Sequence, residues 1–549
     1  VPPLLPEPRS WSWSGVPLPA QGYRLSVSAS GAVESIEAAD AAGEFYANAT
    51  LAQLRRSGVR GPCRIEDWPD VAVRGVMLDV SRDKVPTIST LETLIDRLAS
   101  LKVNHVELYM EHTFAYSGHE EVWSSSGAYT AADLRRLDAF CRARFVELTP
   151  NQNCLGHMER WLRFDRYRPL AIAPDGWTDG RGRVRPPTTI DPANPGSLAL
   201  VRSLLAELLD CFTSRRVHLG LDEPWELPDD RFGEYVDYLA RLRGLPELDG
   251  FEALVWGDIV SHHPDGLGGL PSGVTVCDWG YEADSPFASR AAWLAGGERP
   301  FWLCPGTSSW NSLVGRTSNM LTNCASAASA AREHGASGFL VTDWGDNGHL
   351  QYLPVSEPGF AYGAAVSWCH QANVDLDLAS ALSAHVFDDP TGELASALLA
   401  LGDAHRLVVP QVANASVLTM HLVFSPNIRM GEGLTEGLTV ADLDAVSSSI
   451  ADARAAIARS APGRADGDLV KAELDTSARL LELLVDDCRA RLLAGGRLSS
   501  VDASIRSAFA ARLADLADEH RAHWLARNRP EGLADSTSRL TRLHTAYLA

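Results

Sequence analysis

Lysine is nearly missing from this chain: Lys84, Lys102 and Lys471 are its only three. Positive charge therefore falls to arginine, which we read as genome composition rather than function. Basic charge is also scarce overall, with 49 Lys and Arg against 70 Asp and Glu and a formal net charge of −21. That argues against a nucleic-acid partner, because phosphate binding needs clustered cations. No apolar run approaches the roughly 20 residues of a membrane span, so no membrane partner is expected. The nine cysteines are scattered without a CxxC pair and read as reduced thiols used as small core residues. The histidines show neither HxH nor HExxH spacing, so no metal or other cofactor is expected. The opening stretch VPPLLPEPRSWSWSG lacks the charged and apolar regions of a signal peptide. A cytoplasmic protein is the expectation, or a secreted one if a signal peptide was removed before residue 1.

What is present is ordinary for a globular protein: 45% hydrophobic and 22% charged over 549 residues, enough for more than one domain. Residues 22–56 alternate apolar and polar and then turn helix-like, which suits a small α/β layer over residues 1–70. From residue 72 short β-rich runs alternate with helical stretches: 73–80, 105–110, 145–151, 216–223, 252–258, 274–280, 300–306 and 338–345. Between the first two, Leu91, Leu94, Ile95, Leu98 and Leu101 fall at helical spacing. Eight strand–helix units imply parallel pairing and predict a (β/α)8 (TIM) barrel over residues 71–375. Residues 376–549 become helical and rich in Ala, Leu, Asp and Arg. They are expected to pack as a bundle on the barrel or on a second subunit, as in a homodimer.

Barrel active sites sit at the C-terminal strand ends, and here each predicted strand ends in polar or aromatic residues. The fourth ends in two adjacent carboxylates, Asp222 and Glu223, after the apolar run Val217-His218-Leu219-Gly220-Leu221. Like charges this close cannot ionise independently, so one pKa is expected to rise. A raised carboxyl can act as general acid while its ionised neighbour stabilises positive charge, a division of labour that suits glycosidic bond cleavage. Trp256, Trp279 and Trp344 close other strands and Trp310 lies just beyond the seventh, and flat indole faces suit stacking against sugar rings.

These segments resemble the family 20 glycoside hydrolases (GH20), the β-N-acetylhexosaminidase family. VHLGLDE (217–223) is similar to that family's H-x-G-x-D-E signature. VRGVMLDVSRDKVP (73–86) resembles its R-G-x-M-L-D-x-x-R segment, and GEFYANATLAQLRR (43–56) the end of its N-terminal domain. The similarity runs from about residue 20 to about residue 370. It implies an exo-acting, retaining enzyme that removes terminal β-linked GlcNAc, GalNAc or both by substrate-assisted catalysis. The acetamido oxygen of the substrate would attack the anomeric carbon and form an oxazolinium intermediate. Asp222 would orient and stabilise the acetamido group, and Glu223 would serve as general acid and then base. By position, Arg74 would grip sugar hydroxyls, a Glu111–His157–Glu223 chain would tune the acid, and Asp346 would meet O4 or O6. The partner would be a glycan or glycoside ending in an N-acetylhexosamine.

Two segments depart from the pattern. The third-strand motif reads PNQNCLGH, with Asn151 and Asn153 where acids are usual. The seventh strand lacks the usual acetamido-binding tyrosine and offers Trp310 and Asn311, with Tyr281 or Tyr352 as other donors. The alternative reading is a barrel that binds N-acetylated glycans without cutting them. A metal-dependent hydrolase is disfavoured by the histidine spacing.

Overall fold

The computed structural model describes residues 3–58 and 61–549. Three antiparallel strands open the fold, β1 (Tyr23–Val27), β2 (Val33–Ala38) and β3 (Cys63–Asp67), in the order β2-β1-β3, with the helix Ala41–Arg56 packed on them. Asp40 caps that helix by accepting from the Gly43 N–H, which satisfies one of the free donors of its first turn. The Pro-rich start is docked on this layer: Leu5 exchanges both backbone bonds with the Gln53 amide, and Ser10 bridges Glu66.

Eight parallel strands then close a barrel. In chain order they are β4 (Val73–Asp79), β5 (His105–Met110), β6 (Glu147–Gln152), β9 (Arg216–His218), β10 (Glu252–Trp256), β11 (Val274–Trp279), β12 (Phe301–Cys304) and β13 (Gly338–Asp343), the last pairing with the first. A two-stranded ribbon, β7 (Trp177–Thr178) and β8 (Val184–Arg185), projects between β6 and β9. Apolar stripes such as Leu91, Leu94, Ile95 and Leu98 bury the first crossover helix against the sheet. The barrel floor is plugged by Trp302, which fits because Gly338 has no side chain: a Cβ there would lie 2.4 Å from the indole.

Arg74 belongs to this floor, which corrects its expected role at the mouth. It is the second residue of β4 and 1% exposed. Its guanidinium donates to the carbonyls of Val71, Ala72 and Lys102 and to Gln21 Oε1, and lies over the Trp368 ring at 4.8 Å. A strand's inward residues alternate along its length, so a residue at its start serves the end opposite the active site.

Four long helices, Val440–Arg459, Gly467–Leu493, Ala503–Arg527 and Leu533–Leu548, dominate the C-terminal region. They pack on the barrel of the same chain. The contact includes buried charge, Glu357 pairing with Arg97 and with Arg464, while within the bundle Arg527 pairs with Glu473 and Asp466. Among the described residues no helix is long and apolar enough to cross a membrane. All nine cysteines are free, and eight are buried.

Candidate active site

The fourth barrel strand is shorter than its apolar run suggests. It stops at His218 because Gly220 and Leu221 take φ of +69° and Glu223 takes +48°. This left-handed run is costly for Leu and Glu. It breaks the alternation of a strand, so the two neighbouring carboxylates reach one place. His157 stands there, itself at φ +54°. Its Nε2 lies 3.3 Å from Asp222 Oδ2 and 3.3 Å from Glu223 Oε2.

Two glycines let the loops carrying these groups interlock. A Cβ on Gly156 would lie 2.3 Å from the Asp222 carbonyl, and one on Gly220 would lie 2.6 Å from the Asn153 amide carbon. Asn153 Nδ2 donates to Asp222 Oδ1 at 2.7 Å, and Asn151 Nδ2 donates to Glu107 Oε2 at 2.8 Å. The two asparagines that depart from the acidic third-strand pattern thus act as donors to carboxylates, where acids would repel them. Glu107 sits lower in the barrel between His105 Nε2 (2.8 Å) and His218 Nδ1 (2.7 Å). Burial opposes its charge, but the two imidazoles outweigh that and hold it well below the usual carboxylate range.

At Asp222 the shift runs down rather than up. Burial would raise Asp222, but the His157 imidazolium outweighs it and the carboxyl is held below its ordinary value. Burial would lower His157, and Asp222 holds it well above. The carboxyls pushed up lie around the pair. Burial raises Glu111 to about 7 despite Arg82 and His157. Burial followed by repulsion from Asp222 raises Asp258 to about 7. Asp258 lies two residues past the end of β10, at the start of a short helix, and its Oδ2 accepts the Glu223 backbone N–H at 3.0 Å.

Glu111 Oε1 lies 3.9 Å from His157 Nδ1, so Glu111, His157 and Glu223 fall in the expected order. The arginine at the mouth is Arg82, the second in the segment that also contains Arg74. It bonds Asp79 at 2.9 Å, lies 3.5 Å from both Glu111 and Asp346, and packs over the Tyr109 and Trp344 rings. Asp346 is the more open of these acids, its side chain 35% exposed.

The four tryptophans separate into two kinds. Trp256 and Trp310 are 0% and 1% exposed, so neither offers an open face. Trp256 is covered by His218 at 4.3 Å, and Trp310 stands perpendicular to Tyr281 at 5.1 Å. Each buries an indole N–H with no protein partner among the described residues. Trp279 is half-buried and stacks on Tyr281, and Trp344 donates its Nε1 hydrogen to the Tyr281 hydroxyl at 2.8 Å. Asn311 is used in joining loops: its Oδ1 accepts from Asn347, and its Nδ2 faces the Asn414 carbonyl at 3.4 Å. Tyr352 lies against the C-terminal helices, its hydroxyl 3.0 Å from His520 Nδ1. Of the tyrosines considered, Tyr281 is the one that reaches this cluster.

His157, Asp222 and Glu223 also offer three ligand atoms within 4.8 Å of one another. A cation there would have to displace the proton that Asp222 holds on His157, since a metal takes neutral imidazole.

Residues 72–236 match the family described as glycosyl hydrolase family 20, catalytic domain. That match runs from the first barrel strand past the Asp222–Glu223 pair, and the chain is similar to that family over this stretch. Relatives include a β-hexosaminidase of Emericella nidulans, 27% identical over 223 residues, covering 37% of each chain. A β-hexosaminidase of Akkermansia muciniphila is 28% identical over 243 residues, covering 38% of this chain and 47% of its own. A β-N-acetylhexosaminidase of Cellulomonas fimi is 26% identical over 300 residues, covering 50% and 57%. The chain thus spans under two thirds of the length of these relatives. Among solved structures, the GH20 β-N-acetylhexosaminidase of Streptomyces coelicolor A3(2) superposes with a TM-score of 0.52 at 22% identity, covering 68% of this chain and 82% of that one. At that identity the likeness is one of fold.

Proposed function

We propose that this protein is an exo-acting, retaining β-N-acetylhexosaminidase that removes a terminal β-linked GlcNAc or GalNAc with the substrate's own acetamido group as nucleophile. The observation that carries the reading is the pair of carboxylates on one imidazolium. Asp222 is buried, fixed by Asn153 and held ionised, whereas Glu223 keeps 30% of its side chain open. An ionised, immobile acid suits the group that orients the acetamido N–H and offsets the positive charge of an oxazolinium ring. An accessible acid suits proton transfer to the leaving oxygen, and then from water. The acetamido oxygen attacks C1, the C1–O bond breaks, and Glu223 supplies the proton. Water, giving a proton to Glu223, then attacks C1 from the face the leaving group vacated and breaks the ring's C1–O bond, so two inversions retain the configuration. An internal nucleophile held in place can be worth an effective concentration of about 10⁵ M or more.

We assign the acetamido carbonyl to the Tyr281 hydroxyl. It accepts from Trp344, and burial, with a smaller push from Asp222, raises its phenol and keeps it protonated as a donor. Arg82 and Asp346 are assigned to the sugar hydroxyls, with Trp344 as the apolar wall.

The test is hydrolysis of p-nitrophenyl β-GlcNAc and β-GalNAc by the wild type and by Glu223→Gln. Cleavage of either that falls by about 10²–10⁴ in kcat in the variant supports the reading, and the ratio of the two gives the O4 preference. Cleavage of neither, or an unaffected variant, overturns it.

A further inference from the structure

Beside the His157, Asp222 and Glu223 cluster lies a cavity of about 700 Å³, lined by Trp177, Trp225, Glu159, Arg181, Arg183 and Arg185 among others. It is roofed by the β7–β8 ribbon, which is tied to both catalytic loops. The Thr188 and Thr189 hydroxyls donate to the Glu226 carboxylate, three residues past Glu223, and the Met158 N–H beside His157 donates to the Thr188 carbonyl. Trp225 follows the acid in a tight turn, its N–H donating to the Glu223 carbonyl at 2.7 Å. Trp225 is 57% exposed, unlike the sealed Trp256 and Trp310 of the barrel.

A general acid protonates the leaving oxygen, so whatever leaves must lie against Glu223. An open indole one turn from that acid is a surface on which the next sugar can stack. The charge along the far rim narrows the choice. Asp179 accepts from the Nε hydrogens of Arg183 and Arg185 and from the backbone N–H groups of Arg181 and Arg183, which shapes the ribbon's turn. Two of the three guanidiniums are thereby paired. Arg181 has no carboxylate within 4 Å among the described residues, so it remains an exposed cation on an otherwise acidic protein.

We propose that this cavity is a leaving-group subsite for an anionic sugar, one bearing a carboxylate or a sulfate, which stacks on Trp225 and is paired by Arg181. The inference rests on Glu223 being the acid, as proposed above, and adds the substrate's second residue to it.

The experiment compares kcat/KM on four substrates that share the terminal sugar selected by the p-nitrophenyl assay: the p-nitrophenyl glycoside, a neutral β-(1→4)-linked GlcNAc disaccharide, the same terminal sugar on glucuronic acid, and the neutral disaccharide sulfated on its reducing residue. At least one anionic disaccharide is expected to exceed the neutral one by about tenfold at low salt, with the ratio shrinking as ionic strength rises. Arg181→Glu should bring that ratio below one. Trp225→Ala should lower kcat/KM on every disaccharide. The better anionic substrate tells carboxylate from sulfate. A ratio near one in the wild type, or one unmoved by Arg181→Glu, overturns the inference while leaving the proposed activity standing. Failure to cleave the p-nitrophenyl glycoside overturns both.

Discussion

Asp258 is one residue whose environment makes a measurable statement. It was visible in the sequence as a strand-end acid but gave no sign of its role, because nothing local records that β10 closes next to Asp222. Its carboxyl rises from an ordinary 3.8 to about 7. Between those values the folded protein keeps a proton that the unfolded chain has lost. Stability therefore falls as pH rises through that window, by at most about 1.4 kcal/mol per pH unit. Asp258→Asn keeps an acceptor for the Glu223 N–H and removes the titration. Its gain in Tm over the wild type is expected to be larger at pH 8 than at pH 5; an equal gain at both would show that another group titrates. Tyr281 gives a second test. Tyr281→Phe removes the donor proposed for the acetamido carbonyl and leaves the ring stacked on Trp279, so kcat should drop about 10- to 10³-fold with little change in Tm. An unchanged kcat would move that role to the free Trp310 N–H.

The elements show why part of the site was legible and part was not. Period and length located the eight strands, since parallel strands buried on both faces read as short apolar runs between helices. The same run misjudged the fourth strand, extending it to residue 223 where the ladder ends at His218. Glycine at 220 is the one local sign of the turn, and Leu221 and Glu223 adopt left-handed φ against their own preference. Only the packing of Asn153 and Gly156 explains it. Likewise, Arg74 begins and Arg82 follows one strand, and spacing alone does not say which end faces the substrate. Gly220→Ala tests the loop: the new methyl meets the Asn153 amide in a backbone conformation that Ala resists. A stability loss of about 1–3 kcal/mol is expected, with kcat falling further than stability explains because Asp222 and Glu223 shift together. A variant with wild-type kcat would show that the left-handed run is not needed to present the acids.

At the scale of the whole molecule, the C-terminal helices are part of what holds the mouth. Ser536 donates to the Gly348 carbonyl and Tyr352 meets His520, so the loop that carries Trp344 and Asp346 leans on the bundle. Helical composition foretold the bundle but not this contact, because the residues that make it are ordinary polar side chains on helix faces. Lys84 is buried in the same contact, its ammonium donating to the Gln351 carbonyl and lying over the Trp524 ring. Burial lowers it from 10.5 to about 7, against the pull of Asp343 and Glu473. Between pH 7 and 10.5 the unfolded chain holds a proton that the folded chain has released, so this residue's contribution makes the fold more stable as pH rises through that window. Below pH 7 the charged, desolvated amine costs its full amount. Lys84→Met removes the charge and keeps most of the volume. The stability difference between variant and wild type should therefore be most favourable to the variant at or below pH 7. It should shrink by about 1.4 kcal/mol per pH unit above pH 7, read from urea unfolding at pH 6.5, 8 and 9.5. A difference independent of pH would mean that Lys84 stays protonated throughout, its ammonium sustained by Asp343 and Glu473. In that case the barrel and the helical bundle would be joined at this point by a buried ion cluster rather than by a neutral amine.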